Sequence, residues 1–394
     1  MSEGEASLCP AARECDTVLI ALDHRIDWLG HLSPTGNLAR WEAFEKSGYR
    51  VAPPLTYRDI EFDLDAVREQ LLGLPITEIE NPRIGALLRA KQGELDLQLN
   101  LLRTRETDGF VTASIELFGA VDPTLAEVAR TILSEVKHEE PLTEDCDGED
   151  LARVAREEIE AYREEAPNLW SEVHLEEDVN SMMMVNHGHL LVDRHAKLPE
   201  ARMRALLAHE VGIHVVTRYN GYCQPLRLLE VGTAHYDPLQ EGLGVLAEYL
   251  AGYLPPSRLR ILAARVIASE EAIKHSSLPD IFALLHEEFS IRPHDAFDIA
   301  VRAKRGGGLT KDACYLEGLR DLLASLRSGT DFETLLCGKF DLSEISVVSE
   351  LIEEGVLVPP RLKPRFLDEP SARQRLADLG DLDISELFQL EPAA

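Results

Sequence analysis

Leu206-Leu-Ala-His-Glu-Val-Gly-Ile-His214 places His209, Glu210 and His214 in the middle of a predicted amphipathic helix. Two imidazoles and a carboxylate can together hold a divalent metal and activate its bound water. The pattern is H-E-x-x-x-H, whereas ordinary zinc peptidases carry H-E-x-x-H, with the histidines about 40° apart around the helix. The longer spacing puts them about 140° apart in an ideal α-helix. Chelation of one ion therefore predicts a locally widened turn, such as a π-bulge, which Gly212 makes easier.

A third metal ligand is predicted downstream, in Leu239-Gln-Glu-Gly-Leu-Gly-Val-Leu-Ala-Glu-Tyr249. Glu241 and Glu248 are nearly two helical turns apart and therefore share one face of a helix. One carboxylate could bind the metal while the other orients an imidazole by accepting its N–H. The alternatives are a first-turn charge for Glu241, a solvated helix residue for Glu248, and a chance occurrence of the histidine pattern.

Three segments carry a resemblance to a known family. His209-Glu-Val-Gly-Ile-His214, followed by Gln240-Glu-Gly-Leu-Gly244, resembles the flavohemoglobin expression-modulating QEGLA motif family, which is related to the microtubule-associated tyrosine carboxypeptidases. Gly244 stands where the family name has Ala, a small change that we do not expect to disturb the site. Gly306-Gly-Gly-Leu-Thr-Lys-Asp-Ala-Cys-Tyr-Leu-Glu-Gly-Leu319 is similar to the family's glycine-led T-K-D-x-x-Y-L-x-G-L segment. The similarity runs from about residue 26 to residue 364.

The resemblance implies a zincin-type metallopeptidase in which His209, His214 and Glu241 bind zinc and Glu210 is the general base. Glu248 is then the carboxylate that orients a histidine. Because the eukaryotic relatives remove a C-terminal tyrosine from tubulin, the resemblance also implies a carboxypeptidase that acts on a peptide or protein C-terminus, with an aromatic residue such as tyrosine as the one removed. Nothing in the sequence identifies tubulin as the substrate.

Two other function classes fit the same residues. A non-haem Fe(II) enzyme also uses two histidines and one carboxylate, but it does not require a base such as Glu210 beside the first ligand. A non-catalytic regulatory protein that retains a structural metal is the third hypothesis, since the name of the family refers to expression modulation.

Composition limits the partners of the chain. The 394 residues include 70 acidic and 40 basic side chains, which give a formal charge of -30. This charge opposes binding to nucleic acid and to anionic membranes, and it disfavours an acidic tubulin-like tail unless a local basic groove overrides it. The N-terminus lacks the basic and apolar regions of a signal peptide, and no apolar run is long enough to span a membrane. The six cysteines are scattered and predicted to be free thiols, and a cytoplasmic location is expected.

The predicted fold class is α+β and mainly helical, with a zincin-like core, a small sheet with one exposed edge, and helical N- and C-terminal parts. The predicted organisation runs in five parts along the chain: a disordered lead (1–17), a mainly helical part (18–138), an acidic linker (139–150), the catalytic core (151–364) and a C-terminal tail (365–394).

Local patterns add three predictions of secondary structure. Phe110–Phe118 is rich in β-branched residues in an alternating pattern and is predicted as a strand. Met182–Val192 is predicted as two strands around an Asn186-His187-Gly188 turn, and in zincins such an edge strand holds an extended substrate. Asp122 followed by Pro123 predicts the start of a helix.

A carboxypeptidase needs a cation for the terminal carboxylate, ideally an arginine, and a donor that faces the scissile carbonyl. Lys311, Tyr315 and Arg218 are the predicted substrate-binding residues, and Arg227 is a further candidate cation. Capping or surface roles are the alternatives, and Arg218 also suits the C-terminal end of the motif helix.

Overall fold

Helices dominate this chain, and many begin where the sequence supplies a capping residue. The computed structural model describes residues 8–137, 142–177, 179, 181–380 and 382–392. Asp63, Asn81 and Asp122 each accept hydrogen bonds from the first N–H groups of a helix, as predicted for Asp122. The N-terminal helices are α1 (Pro10–Ile26), α2 (Trp28–Leu32), α3 (Asn37–Lys46), α4 (Leu64–Leu72), α5 (Pro82–Arg103), α6 (Phe110–Phe118) and α7 (Pro123–Glu135).

The prediction of a strand at Phe110–Phe118 is wrong, because this segment is helix α6. Its buried residues include Phe110, Ala113, Ser114 and Leu117, which follow the spacing of one helical face. Burial at this period outweighs the preference of β-branched residues for strands.

Ordered structure begins inside two segments that the sequence predicts as disordered lead and acidic linker. Residues 1–7 and 138–141 lie outside the described residues, but α1 already starts at Pro10. The end of the acidic segment forms strand β1 (Cys146–Asp147) and the first turn of helix α8 (Gly148–Glu165). Asp147 and Asp150 form a capping box there, so acidic side chains start the helix.

The five strands form two small sheets. Strand β1 pairs with β5 in an antiparallel ladder, and β4 lies between β2 and β3, parallel to β2 and antiparallel to β3. The remaining strands are β2 (Val173–Glu176), β3 (Met183–Asn186), β4 (His189–Asp193) and β5 (Lys197–Leu198). The sheets and the helices together confirm the predicted α+β, mainly helical class.

The predicted hairpin at Met182–Val192 is confirmed. Asn186 of β3 pairs with His189 of β4, and the two residues between them, His187 and Gly188, have φ values of 48° and 86°. Two consecutive positive φ values match a type I′ turn, which suits the twist of a two-residue hairpin. Because β3 is at the edge of the three-stranded sheet, one row of its backbone groups faces away from the sheet.

The motif helix runs through three segments: α9 (Glu200–His209), a π-helical segment (Glu210–Val215) and α10 (Val216–Tyr222). The predicted widening of the helix is therefore confirmed. Val211 and Val215 are buried in a core formed with α8 and the strands, whereas Ile213 is buried in a larger core formed by the other helices. The motif helix thus lies between two hydrophobic cores.

Eight further α-helices follow in the described chain: α11 (Leu228–Val231), α12 (Asp237–Leu250), α13 (Pro256–Ile273), α14 (Leu278–Ala283), α15 (Pro293–Lys304), α16 (Cys314–Arg327), α17 (Ile345–Glu353) and α18 (Pro370–Ala377). Among the described helices, none combines the length and the apolarity that crossing a membrane requires. All six cysteines are free thiols, as predicted.

Helices α12 and α16 touch through glycines. A Cβ atom added to Gly242 would lie 2.5 Å from the carbonyl carbon of Gly318, and one added to Gly318 would overlap the carbonyl oxygen of Pro238. The absence of side chains at both positions lets the two backbones meet. This contact places Glu241, the neighbour of Gly242, against α16.

We expect Gly318→Ala to destabilise the protein by about 1–3 kcal/mol, because the new methyl group must displace the backbone of α12. Gly93→Ala is the matched control, since Gly93 is also helical but an added Cβ there has no atom within 4 Å. Without that clash, alanine should stabilise α5 by about 0.5–1 kcal/mol. Urea unfolding of both variants measures the difference, and equal effects would contradict the proposed helix contact.

Candidate metal centre

The two predicted histidine ligands both approach the same oxygen of the predicted third ligand, Glu241. Nε2 of His209 lies 3.5 Å from Oε2 of Glu241, and Nε2 of His214 lies 3.8 Å from the same oxygen. The two imidazole centroids are 4.9 Å apart. The π-helical turn brings the histidines together, because residues five apart stack along such a turn, and α12 supplies the carboxylate.

The distances from the two histidine nitrogens to the Glu241 oxygen are close to those around a zinc ion. Zinc binds imidazole nitrogen and carboxylate oxygen at about 2.0–2.2 Å in tetrahedral geometry, which separates neighbouring ligand atoms by about 3.4 Å. The observed separations of 3.5 and 3.8 Å need a shift of only a few tenths of an ångström to reach that value. His214 and Glu241 keep 12% and 15% of their side-chain surface exposed, so the point where the three ligands meet is open on one side.

Glu248 contacts the ring nitrogen of His209 that faces away from Glu241. Nδ1 of His209 lies 2.9 Å from Oε1 of Glu248, which orients the imidazole and directs Nε2 toward Glu241. Glu248 is fully buried, which excludes the solvated alternative. Arg202 and Arg258 both bind the Glu248 carboxylate. Burial would raise the pKa of Glu248, but the two guanidinium groups hold it well below the usual range.

The two carboxylates nearest the histidines have opposite pKa shifts. Burial raises the pKa of Glu210. Burial acts on Glu241 in the same way, but hydrogen bonds from His209 and His214 hold the pKa of Glu241 well below its usual range. An always-charged carboxylate suits a metal ligand, and one with a raised pKa suits proton transfer.

Glu210 is fixed by the edge strand. The backbone N–H of Val185 in β3 donates a hydrogen bond to Oε2 of Glu210 over 3.2 Å. Glu210 has a carboxylate oxygen within 4.8 Å of a ring nitrogen of both His209 and His214. The sequence-predicted strand, base and ligands therefore lie together.

His209 carries a proton in the absence of a metal. Burial lowers its pKa, but hydrogen bonds to Glu241 and Glu248 outweigh burial and raise the pKa of His209 to about 9. Because a metal ligand must be the neutral imidazole, metal binding near neutral pH releases this proton.

Gly244 is not interchangeable with alanine in this arrangement. A Cβ atom added to Gly244 would overlap Nε2 of His209. The His209 ring therefore occupies the space that an alanine side chain would fill, and alanine at this position would require the ring to shift.

Two of the predicted substrate-binding cations are already paired. Nζ of Lys311 lies 2.9 Å from Oδ1 of Asp237, and Nη2 of Arg218 lies 3.1 Å from Oε1 of Glu230. Both cations are buried. Their ion pairs leave neither group free for a substrate carboxylate.

The Tyr315 hydroxyl, unlike the side chains of Lys311 and Arg218, is not already paired in the described structure. Within the described part of the chain, no hydrogen bond reaches the Tyr315 hydroxyl. Burial and then the charge of Glu241 raise the pKa of Tyr315 to about 12, so the hydroxyl remains protonated and able to donate.

Sequence reasoning missed the partners of Glu248. Arg202 is seven residues before His209 in the motif helix, and this two-turn spacing could have indicated it. Arg258 comes from α13, and no spacing rule links it to Glu248.

A second group of possible metal ligands, Glu172, His174 and His189, lies around the three-stranded sheet. Nδ1 of His189 accepts the backbone N–H of Glu172 over 3.2 Å. This bond leaves the proton of a neutral imidazole on Nε2, which then has no lone pair for a metal.

Comparison with known proteins gives one family match. Residues 42–382 match the microtubule-associated tyrosine carboxypeptidase family, which covers most of the chain and confirms the resemblance seen in the motifs. No curated protein matches. Among solved structures, a protein of unknown function from Shewanella oneidensis is similar over 74% of this chain and 72% of that chain, with 12% identity and a TM-score of 0.38. A similarity this low supports no conclusion.

We expect Glu248→Gln to weaken zinc binding about 10- to 100-fold, because the amide removes the charge that supports His209. Glu230→Gln is the matched control: Glu230 is also buried and paired with two arginines, but it contacts no predicted metal ligand. Competition with a chelating dye measures the affinity. Both variants should lose stability, and equal zinc affinity in the two would contradict this role of Glu248.

Proposed function

Because this chain belongs to the microtubule-associated tyrosine carboxypeptidase family, we propose that it is a zinc-dependent metallopeptidase that removes a residue from the C-terminus of a peptide or protein. The observation that carries the proposal is the convergence of His209, His214 and Glu241, with Glu210 held beside them. An aromatic residue such as tyrosine is the one we expect it to remove.

The roles of the side chains follow from their surroundings. Zinc, when bound, lowers the pKa of its water toward neutrality and polarises a carbonyl. Glu210 takes the proton of the attacking water and passes it to the leaving amine, a role that its raised pKa supports. The N–H of Val185 orients the carboxylate before the substrate arrives.

Strand β3 and Tyr315 are the proposed substrate contacts. The N–H of Val185 points to Glu210, away from β4, so the outer edge of β3 runs beside the base, and this edge is the proposed position of an extended peptide. The protonated hydroxyl of Tyr315 is the proposed donor to the oxyanion that forms at the scissile carbonyl.

An Fe(II) enzyme remains the second candidate, because two histidines and one carboxylate are also the ligand set of non-haem oxygenases. Glu210 favours hydrolysis, since it supplies a base next to the ligands. Metal analysis separates the two, and stoichiometric iron with oxygen-dependent turnover would contradict the zinc proposal. A regulatory protein with a structural metal is the third candidate, and it requires no turnover.

The proposed setting of this activity is the cytoplasm, with neither nucleic acid nor a membrane as a partner. The six free thiols fit a reducing compartment. The formal charge of -30 repels both nucleic acid and anionic lipid surfaces.

We expect Glu210→Gln to lower kcat about 10²- to 10⁴-fold while the protein still binds one equivalent of zinc, because the amide cannot accept a proton. Glu200→Gln is the matched control, since Glu200 is exposed on the first turn of the same helix. Metal content and peptide turnover are measured on both variants. Unchanged turnover of Glu210→Gln would remove Glu210 from the mechanism.

The cleavage pattern of a peptide library tests the proposed reaction. Zinc-loaded protein is incubated with a mixed library, and the products are identified by mass spectrometry. We expect loss of single C-terminal aromatic residues, and we expect this loss to stop when a chelator removes the metal. Cuts within the peptides would contradict the carboxypeptidase assignment.

A further inference from the structure

Three arginines form a cluster that holds more positive charge than its neighbours neutralise. We name Arg265 of α13, Arg302 of α15 and Arg305, which follows α15, the arginine cluster. Arg302 forms a two-point ion pair with Asp312, in which Nη2 lies 2.9 Å from Oδ1. Among the residues that the structure describes, neither Arg265 nor Arg305 forms an ion pair, and Nε of each is buried without a hydrogen-bond partner.

Such an excess of cations is costly to bury. Arg305 is only 4% exposed, and burial together with the neighbouring Arg302 lowers its pKa to about 10. An unpaired charge in the interior destabilises a protein unless a partner arrives. The chain carries 70 acidic residues that could have supplied a carboxylate partner for Arg305. The arginine cluster therefore has the character of an anion-binding site that awaits its ligand.

The arginine cluster adjoins the metal centre through Tyr315. The guanidinium carbon of Arg265 lies 4.6 Å from the centroid of the Tyr315 ring. Tyr315 is one turn before Gly318, at the point where α16 touches α12 beside Glu241. Tyr315 thus contacts the arginine cluster and is also close enough to Glu241, a predicted zinc ligand, for that charge to act on its hydroxyl.

Helix α13 carries an arginine at the metal centre and another in the arginine cluster. Arg258 and Arg265 are seven residues apart on α13 and therefore share one face. Arg258 binds Glu248 over 3.1 Å, directly behind the metal ligand His209. One helix face consequently extends from the metal centre to the arginine cluster.

We propose that Arg265, supported by the charge of Arg305, binds the α-carboxylate at the C-terminus of the substrate. Arg265 is the only member of the arginine cluster that is both partly exposed and without an ion pair in the described structure. Its guanidinium fork matches a carboxylate in two-point geometry. Arg302 is occupied by Asp312, and Arg305 is too deeply buried to reach a peptide.

This assignment rests on the proposed function and makes it more specific. A site that pairs with an α-carboxylate beside the scissile bond selects the end of a chain over its interior. The local positive field also counteracts the net negative charge of the protein, which would otherwise repel a carboxylate.

Binding by an inactive, folded protein tests the assignment. Zinc-loaded Glu210→Gln protein is titrated calorimetrically with an N-acetylated pentapeptide of four alanines and a C-terminal tyrosine, as the free acid and as the C-terminal amide. We expect the free acid to bind about 10- to 100-fold more tightly, the range of a charge-assisted hydrogen-bonded pair. Adding Arg265→Gln should abolish this preference, and adding Arg265→Lys should retain part of it.

Arg292→Gln is the matched control, since it removes the same charge at an exposed arginine. It should leave the preference for the free acid intact, and thermal unfolding confirms that each variant is folded. Equal binding of acid and amide by the parent, or a full preference in both Arg265 variants, would overturn the assignment.

The two proposals fail in different ways. If the wild-type protein cleaves no peptide, or cuts only internally, while the Arg265-dependent preference persists, the carboxypeptidase function fails and the anion site stands. If C-terminal residues are removed but Arg265→Gln leaves the KM for free acids unchanged, only the anion site is wrong.

Discussion

The π-helical segment Glu210–Val215 is the constraint on which the rest of the candidate metal centre depends. An α-helical path would leave His209 and His214 on different faces, and no other side chain could restore the ligand pair. The i→i+5 turn is inherently less favourable than an α-turn. Burial on both sides stabilises it here, because Val211 packs in one core and Ile213 in the other.

Gly212 supports this segment for a different reason from the one its sequence indicates. Its φ angle is not positive, so conformational freedom is not what the position requires. An added Cβ would lie 3.0 Å from the ring of Phe366, which packs against the helix at this residue. Glycine here makes room for a side chain from the C-terminal part of the chain, and the widened turn is held by packing from outside.

Features that depend on the spacing of nearby residues could be predicted from the sequence. Features that depend on contacts between distant segments could not. The histidine spacing, the hairpin residues His187-Gly188 and the cap at Asp122 are each determined within a few residues. Whether a cation is already paired with a carboxylate is not determined by its neighbours in the sequence. Lys311 and Arg218 look available in the sequence, but Asp237 and Glu230 neutralise them from other elements. The arginine cluster draws on two helices and a carboxylate beyond them, so no spacing rule could find it.

Three departures from ordinary folding rules surround the same place. The π-helical segment breaks the α-helical ladder, β3 presents the edge of a sheet beside Glu210, and Arg265 and Arg305 are cations without carboxylate partners in the described structure. Each lowers stability, and a sequence consistent at every level would avoid all three. All three lie around His209, His214 and Glu241, which supports this place as the candidate functional site by an argument separate from the motif. A chance H-E-x-x-x-H would not be expected to lie beside both a sheet edge and two arginines that have no carboxylate partner in the described structure.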